Sequence, residues 1–135
     1  MDTLEIFIQK LVRDAGEVTR KYFGTKLVVT TKTSKSDLLT QADLATNDFI
    51  VSTIQKEFPD HGIISEEMDE YQADAEYVWI VDPIDGTFNF STSLPIYAVL
   101  IALVISFLQP IFPNLMNSSL PKKVVELFSM GNKSL

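Results

Sequence analysis

Three features of this 135-residue chain predict an α+β fold. Apolar residues recur at spacings of three and four over Leu4–Tyr22 and again toward Phe58, which is the signature of two amphipathic helices. Short β-branched and aliphatic runs at Lys26–Lys32 and Tyr77–Val81 read as strands. Polar turns punctuated by Gly and Pro separate these segments. At roughly one domain per 100 to 200 residues, the length fits a single domain. With 46% apolar and 21% charged residues, the chain falls among ordinary globular proteins rather than disordered or collagen-like ones.

The elements follow in order. Leu4, Phe7, Ile8, Leu11, Ala15, Val18 and Tyr22 share one helical face, opened by Asp2-x-x-Glu5 and closed at Gly24. Lys26–Lys32 and Ser36–Thr40, joined by Thr33-Ser34-Lys35, fit a hairpin. A second helix is expected over Asp43–Phe58, with Leu44, Ile50, Val51, Ile54 and Phe58 inward and Pro59 as terminator, so Asp43 lies at its entrance. After the Asp60-His61-Gly62 turn, a short Ile63–Ser65 strand delivers Glu66 and Glu67, and Asp69–Ala75 reads as a polar, mobile loop. The Tyr77–Val81 strand then delivers Asp82. Two strands thus end in carboxylates, and the carboxyl ends of strands are where such folds usually bind ligands. His61, the single histidine, is expected to be exposed and inert in its turn, and Trp79 to pack in the core.

Composition excludes several functions. With no cysteine, the chain has no disulfide, thiolate zinc site or thiol nucleophile, and it suits a reducing, cytoplasmic setting. A formal charge of −7 argues against nucleic acid and anionic membranes as partners. The start Met1-Asp2-Thr3-Leu4-Glu5 has acids where a signal peptide needs bases. Between Glu57 and Asp85 there are ten acids and no Lys or Arg, either a solvated loop or a cation site. The 14-residue apolar stretch Ile96–Gln109, bounded by Pro95 and Pro110, is shorter than the about 20 residues a bilayer demands. A buried strand is the expectation there, with a membrane helix as the rival.

Asp82-Pro83-Ile84-Asp85-Gly86-Thr87 is the most informative string. Pro83 fixes φ and Gly86 can take a positive φ, so a sharp turn is expected that holds the two Asp side chains near each other. Adjacent carboxylates repel unless a cation compensates them, and an all-oxygen donor set points to Mg²⁺ or Mn²⁺ rather than zinc. Gly86 and Thr87 leave backbone N–H groups for an anion. The Asp-x-Asp-Gly-Thr pattern of haloacid-dehalogenase-type phosphatases does not fit, because Asp82 and Asp85 are three apart rather than two.

Lys32, Ser36-Asp37-Leu38-Leu39-Thr40-Gln41-Ala42-Asp43, Ile64-Ser65-Glu66-Glu67 and Trp79-Ile80-Val81-Asp82-Pro83-Ile84-Asp85-Gly86-Thr87-Phe88-Asn89-Phe90, in that order, resemble the inositol monophosphatase-like family of Mg²⁺-dependent, lithium-sensitive phosphatases of small sugar and cyclitol phosphates. The resemblance implies a layered α-β-α sugar-phosphatase-type fold, truncated here to its N-terminal portion. It implies that Glu66, Asp82 and the Ile84 carbonyl hold a first metal, with Asp82 and Asp85 contributing to a second. Gly86 and Thr87 N–H groups, with Asp85 nearby, would receive the substrate phosphate. Asp43 would pair with the Thr87 hydroxyl to orient or deprotonate the attacking water, Glu67 would support the shell, and Lys32 matches a family lysine near the site. The reaction implied is direct attack by a metal-activated water, without a phospho-enzyme.

The expected organisation is a metal-binding part over 1–105 and a divergent tail over 106–135, altered or truncated, in which Glu126–Ser129 faintly resembles a family strand. Family members are longer and supply a further metal-binding Asp and the ring-gripping residues downstream. Here Glu126 is the only acid after Asp85, so the second metal site is expected to be incomplete. An exposed apolar strand surface around 96–108, with poor solubility as a monomer, follows from a half-fold. The expected function is Mg²⁺-dependent hydrolysis of a small phosphate monoester, inositol monophosphate first, by a chain able to form the family's homodimer. The alternative is a catalytically inactive fragment that binds metal weakly or associates with a partner subunit.

Overall fold

The computed structural model describes residues 3–27, 29–31, 38–105 and 124–130. Its elements are α1 (Thr3–Arg20), β1 (Val29–Thr31), β2 (Leu38–Thr40), α2 (Gln41–Glu57), β3 (Gly62–Ser65), β4 (Tyr77–Asp85), α3 (Thr87–Ser91), β5 (Ala98–Ile105) and β6 (Val124–Met130). This is an α+β fold. β1 and β2 form an antiparallel pair, and the remaining strands form a mixed sheet in the order β3-β4-β5-β6, parallel only between β3 and β4.

The core lies between one sheet face and the α1–α2 pair. Ile8 and Leu11 from α1, Ile50 and Ile54 from α2, and Ile63, Trp79, Ile101 and Leu103 from the strands make one buried cluster. Each such side chain, fully buried, stabilises the fold by about 2 kcal/mol. Where the helices face each other, side chains are small. Gly16 and Thr19 are buried on α1, and the Thr19 hydroxyl donates to the Ala15 carbonyl at 2.9 Å and lies 3.1 Å from the Thr46 hydroxyl. Val18 and Tyr22, expected on the core face, are half-buried, because Val12, Gly16 and Thr19 carry the stripe instead.

α2 begins two residues earlier than its apolar pattern indicated, and its phase differs. Leu44 is 43% exposed, whereas Ala42, Asp43, Thr46, Asn47, Ile50 and Ile54 are buried. A face that is half polar hides its period from a hydrophobicity count, and Leu44 lies about 100° off it.

The Asp69–Ala75 segment is not simply a mobile loop. Tyr71 exchanges backbone hydrogen bonds with Ile63, at 2.7 and 3.0 Å, as an added bridge beside β3. His61 is likewise not an exposed bystander: it is half-buried, stacked between Phe58 and Tyr77 at centroid distances of 4.7 and 4.9 Å. Trp79, fully buried, donates its indole N–H to His61 Nδ1 at 3.0 Å.

The apolar run after Tyr97 is a strand through Ile105, and among the described residues no helix is long and apolar enough to cross a membrane. β5 has β4 on one side and β6 on the other, and Val99 and Ile101–Val104 are buried. Of the expected exposed strand surface around 96–108, the described residues show Ile96 at 63% exposure just before β5 and Leu100 and Ile105 half-buried, and 106–108 lie outside the described residues. Glu126–Ser129 lies within β6, and residues 106–123 and 131–135 of the anticipated tail lie outside the described residues.

Candidate functional site

The sharp turn expected at Asp82–Thr87 occurs only at Gly86. β4 runs straight through Asp82-Pro83-Ile84-Asp85, and its register against β5 shifts between Asp82, opposite Leu100, and Asp85, opposite Ala98. Pro83 and Ile84 on β4 thus stand against Val99 alone on β5, which is a bulge. In a regular strand, residues three apart point to opposite faces; the extra residue restores the phase, so Asp82 and Asp85 share one face. Pro83 sits inside the bulge, where its missing N–H removes no regular ladder bond. Gly86 then turns the chain at φ +87°, and a Cβ there would meet the Ile96 carbonyl at 3.0 Å.

Gly86 is the N-cap of α3, which starts at Thr87. The Thr87 hydroxyl lies 3.0 Å from Asp43 Oδ1 and 3.0 Å from the Ile84 carbonyl, either of which can accept its proton. Asp43 is 1% exposed at the third position of α2. Its other oxygen accepts from the Thr40 backbone N–H at 2.9 Å and from the Thr40 hydroxyl, which accepts in turn from the Asp43 N–H at 3.3 Å. This reciprocal capping box satisfies a buried carboxylate and starts the helix in one arrangement. The Thr40-x-x-Asp43 spacing is the sequence signal for it, and Thr40 belongs to the site for that reason.

Ser65 on β3 pairs with Val81 on β4, so Glu66 and Asp82 are the next residues along two neighbouring parallel strands. Adjacent strands lie about 4.8 Å apart. Glu66 and Asp85 are exposed, Glu67 and Asp82 half-buried, and Asp82 Oδ1 is sealed from solvent. Ser65 donates its hydroxyl proton to Asn47 Oδ1 at 2.6 Å and accepts the Glu67 N–H at 3.3 Å. Lys32 lies outside the described residues.

Among the described residues no group of three or more Asp, Glu or His side chains converges to hold a metal ion. The donor chemistry nonetheless fits a hard cation of the Mg²⁺ kind. That ion is commonly held by one or two carboxylates, with water and substrate phosphate completing its shell. Glu66 and Asp82, each one residue past the last β3–β4 pair, with the Ile84 carbonyl two residues on, offer oxygen donors only.

Fold and site together define a class: α+β proteins that present carboxylates at the carboxyl ends of neighbouring strands, beside a buried Thr–Asp pair. The chain belongs to the inositol monophosphatase family, which matches residues 1–110. It is similar to inositol monophosphatase 2 of Rattus norvegicus, 39% identical over 108 residues that make up 77% of this chain and 37% of that protein. A histidinol-phosphatase of Chlorobaculum parvum is 37% identical over 94 residues, 70% of this chain and 36% of the relative. The solved structure of a Thermotoga maritima IMPase superposes at a TM-score of 0.69 with 37% identity, over 78% of this chain and 40% of that one. The chain therefore spans little more than a third of the length of the curated relatives it matches.

Proposed function

We propose that this chain carries the water-activating and phosphate-receiving side of a Mg²⁺-dependent phosphomonoesterase acting on a small phosphate ester, inositol monophosphate first. The observation that carries this reading is the 3.0 Å contact from the Thr87 hydroxyl to the buried Asp43 carboxylate, next to the acid-bearing ends of β3 and β4. The names of the relatives, an inositol monophosphatase and a histidinol-phosphatase, support the reaction class and leave the alcohol portion open.

Glu66, Asp82 and the Ile84 carbonyl would hold one divalent cation, and Asp82 with Asp85 would contribute to a second. The chemistry a cation held there would supply is a lower pKa for water and charge stabilisation at the leaving oxygen. Asp43, held by Thr40, accepts the Thr87 proton; the Thr87 oxygen is then oriented to take a hydrogen bond from the attacking water. Gly86 and Thr87, at the first turn of α3, have backbone N–H groups with no intrahelical partner, suited to the phosphate oxygens. Asp85 lies beside them, and Glu67 braces the turn that bears Glu66. One P–O bond forms from water, the ester P–O bond breaks, and the leaving alkoxide takes up a proton.

A second reading is favoured by the missing three-carboxylate cluster among the described residues: a non-catalytic piece that binds the cation weakly or works beside another subunit. Titrating purified protein with Mg²⁺ while assaying phosphate release from inositol 1-phosphate separates the two. Metal-dependent release that disappears in Asp82→Asn supports the enzyme; folded protein that binds Mg²⁺ without release supports the second reading.

A further inference from the structure

α2 sends two buried polar side chains toward the site from positions one turn apart. Asp43, 1% exposed, meets Thr87 beyond β4, and Asn47, 4% exposed, meets Ser65 at the end of β3. Ser65 is itself 9% exposed, and its hydroxyl has one proton, which goes to Asn47 Oδ1 at 2.6 Å. Its lone pair receives the Glu67 N–H at 3.3 Å. The relay runs from Glu67 N–H to Ser65 Oγ to Asn47, and it ties the backbone of the Glu66–Glu67 turn to the same helix that holds Asp43.

A buried amide and hydroxyl are costly unless paired, and an apolar pair could fill the same space. What an apolar pair could not do is fix the backbone just before an exposed, acid-bearing turn. Glu66 and Asp82 both lie past the Ser65–Val81 pair of β3 and β4. Any slack in the Glu66–Glu67 turn changes the separation of these carboxylates directly. Groups that orient a ligating side chain without touching the ion typically alter metal affinity 10- to 100-fold when removed.

We infer that Asn47 and Ser65 are positioning residues, which fix the Glu66–Glu67 turn relative to Asp82 for binding of a divalent cation. Through the cation, this inference rests on the proposed function, but the relay has a readout of its own: the exchange rate of the Glu67 amide. In Ser65→Ala, Glu67 amide protection by hydrogen-exchange NMR is lost selectively, and Mg²⁺ binding by calorimetry weakens about 10-fold. Ser65→Thr, which keeps the hydroxyl, restores both. Ser65→Cys, close in volume and a poor acceptor, gives the Ser65→Ala result should the alanine chain not fold. An even loss of global stability, with Glu67 protection and Mg²⁺ affinity unchanged in the folded protein, overturns the inference. Should the wild-type chain bind no Mg²⁺, the cation reading fails separately. The relay is then decided by the amide alone, with unchanged Glu67 protection in Ser65→Ala refuting it and selective loss upholding it.

Discussion

The two ends of the β3–β4 pair are made of different materials. At the amino end, His61 stacks on Phe58, Tyr77 and Trp79, Phe58 lies tilted against Trp79, and Phe7 is edge-on to Phe58 at 4.9 Å. At the carboxyl end, Thr40, Asp43, Asn47, Ser65 and Thr87 are tied by directional hydrogen bonds next to Glu66, Asp82 and Asp85. Area burial is non-directional and anchors the strands, whereas hydrogen bonds place individual atoms. The same two strands thus serve stability at one end and positioning at the other.

The largest test of that division is a pair of deletions. Trp79→Ala is expected to cost about 4 kcal/mol of stability, measured by urea unfolding followed by far-UV circular dichroism, since it empties the most voluminous fully buried site. Thr87→Ala is expected to cost only about 1–2 kcal/mol, for the hydrogen bonds it loses. If the chain turns over substrate, that same change lowers phosphate release by about 100-fold or more. A Thr87→Ala chain as unstable as Trp79→Ala would erase the distinction between the ends.

A glycine at each end gives the next contrast. A Cβ on Gly62 would lie 2.2 Å from the Gln72 carbonyl oxygen, so Gly62→Ala must push apart the backbone beside the Ile63–Tyr71 bridge. About 1–3 kcal/mol of destabilisation is expected in thermal or urea melts, with Mg²⁺ affinity unchanged. Gly86→Ala carries strain of similar size at φ +87° but sits between Asp85 and Thr87, so it should weaken Mg²⁺ or phosphate binding as well. Equal effects of both changes on ligand binding would show that the ends are mechanically one unit.

How far the sequence disclosed these ends follows the same physics. Apolar period and β-branched runs located α1, β3, β4 and β5, because burying one face imposes a period on the chain. The acids of the carboxyl end were visible because Asp82-Pro83-Ile84-Asp85-Gly86-Thr87 is a dense local string. The bulge that puts Asp82 and Asp85 on one face was not, since it depends on the register against Leu100 and Ala98 in another strand. The exposure of Leu44 and the burial of Asn47 are not legible in the sequence for a related reason: α2 turns polar side chains inward, against the rule that apolar ones face the core. His61 looked like a turn residue because Tyr77 and Trp79, which enclose it, are distant in sequence.

The smallest expected effect concerns that histidine and separates the ends by pH. Trp79 Nε1 donates to His61 Nδ1, so the bond requires that nitrogen unprotonated. Desolvation holds the His61 pKa below 6.5, against the nearby Asp60 and Glu76, whose charges push it up. A depressed native pKa means the unfolded chain binds the proton more readily, so this group's contribution to stability is complete above about pH 6.5 and is lost as pH falls through the native pKa. His61→Gln offers Trp79 a carbonyl acceptor and does not titrate. Thermal midpoints of the wild type should therefore drop more than those of His61→Gln between pH 7.5 and the acid limb. The fluorescence of Trp79, the single tryptophan, should change over the same interval in the wild type alone. Mg²⁺ binding compared between the two proteins at any one pH should not differ, because the titrating group is at the other end of the strands from Glu66 and Asp82. Parallel midpoint curves would mean that the imidazole is stacked but not coupled, and that the aromatic end is held by area burial alone.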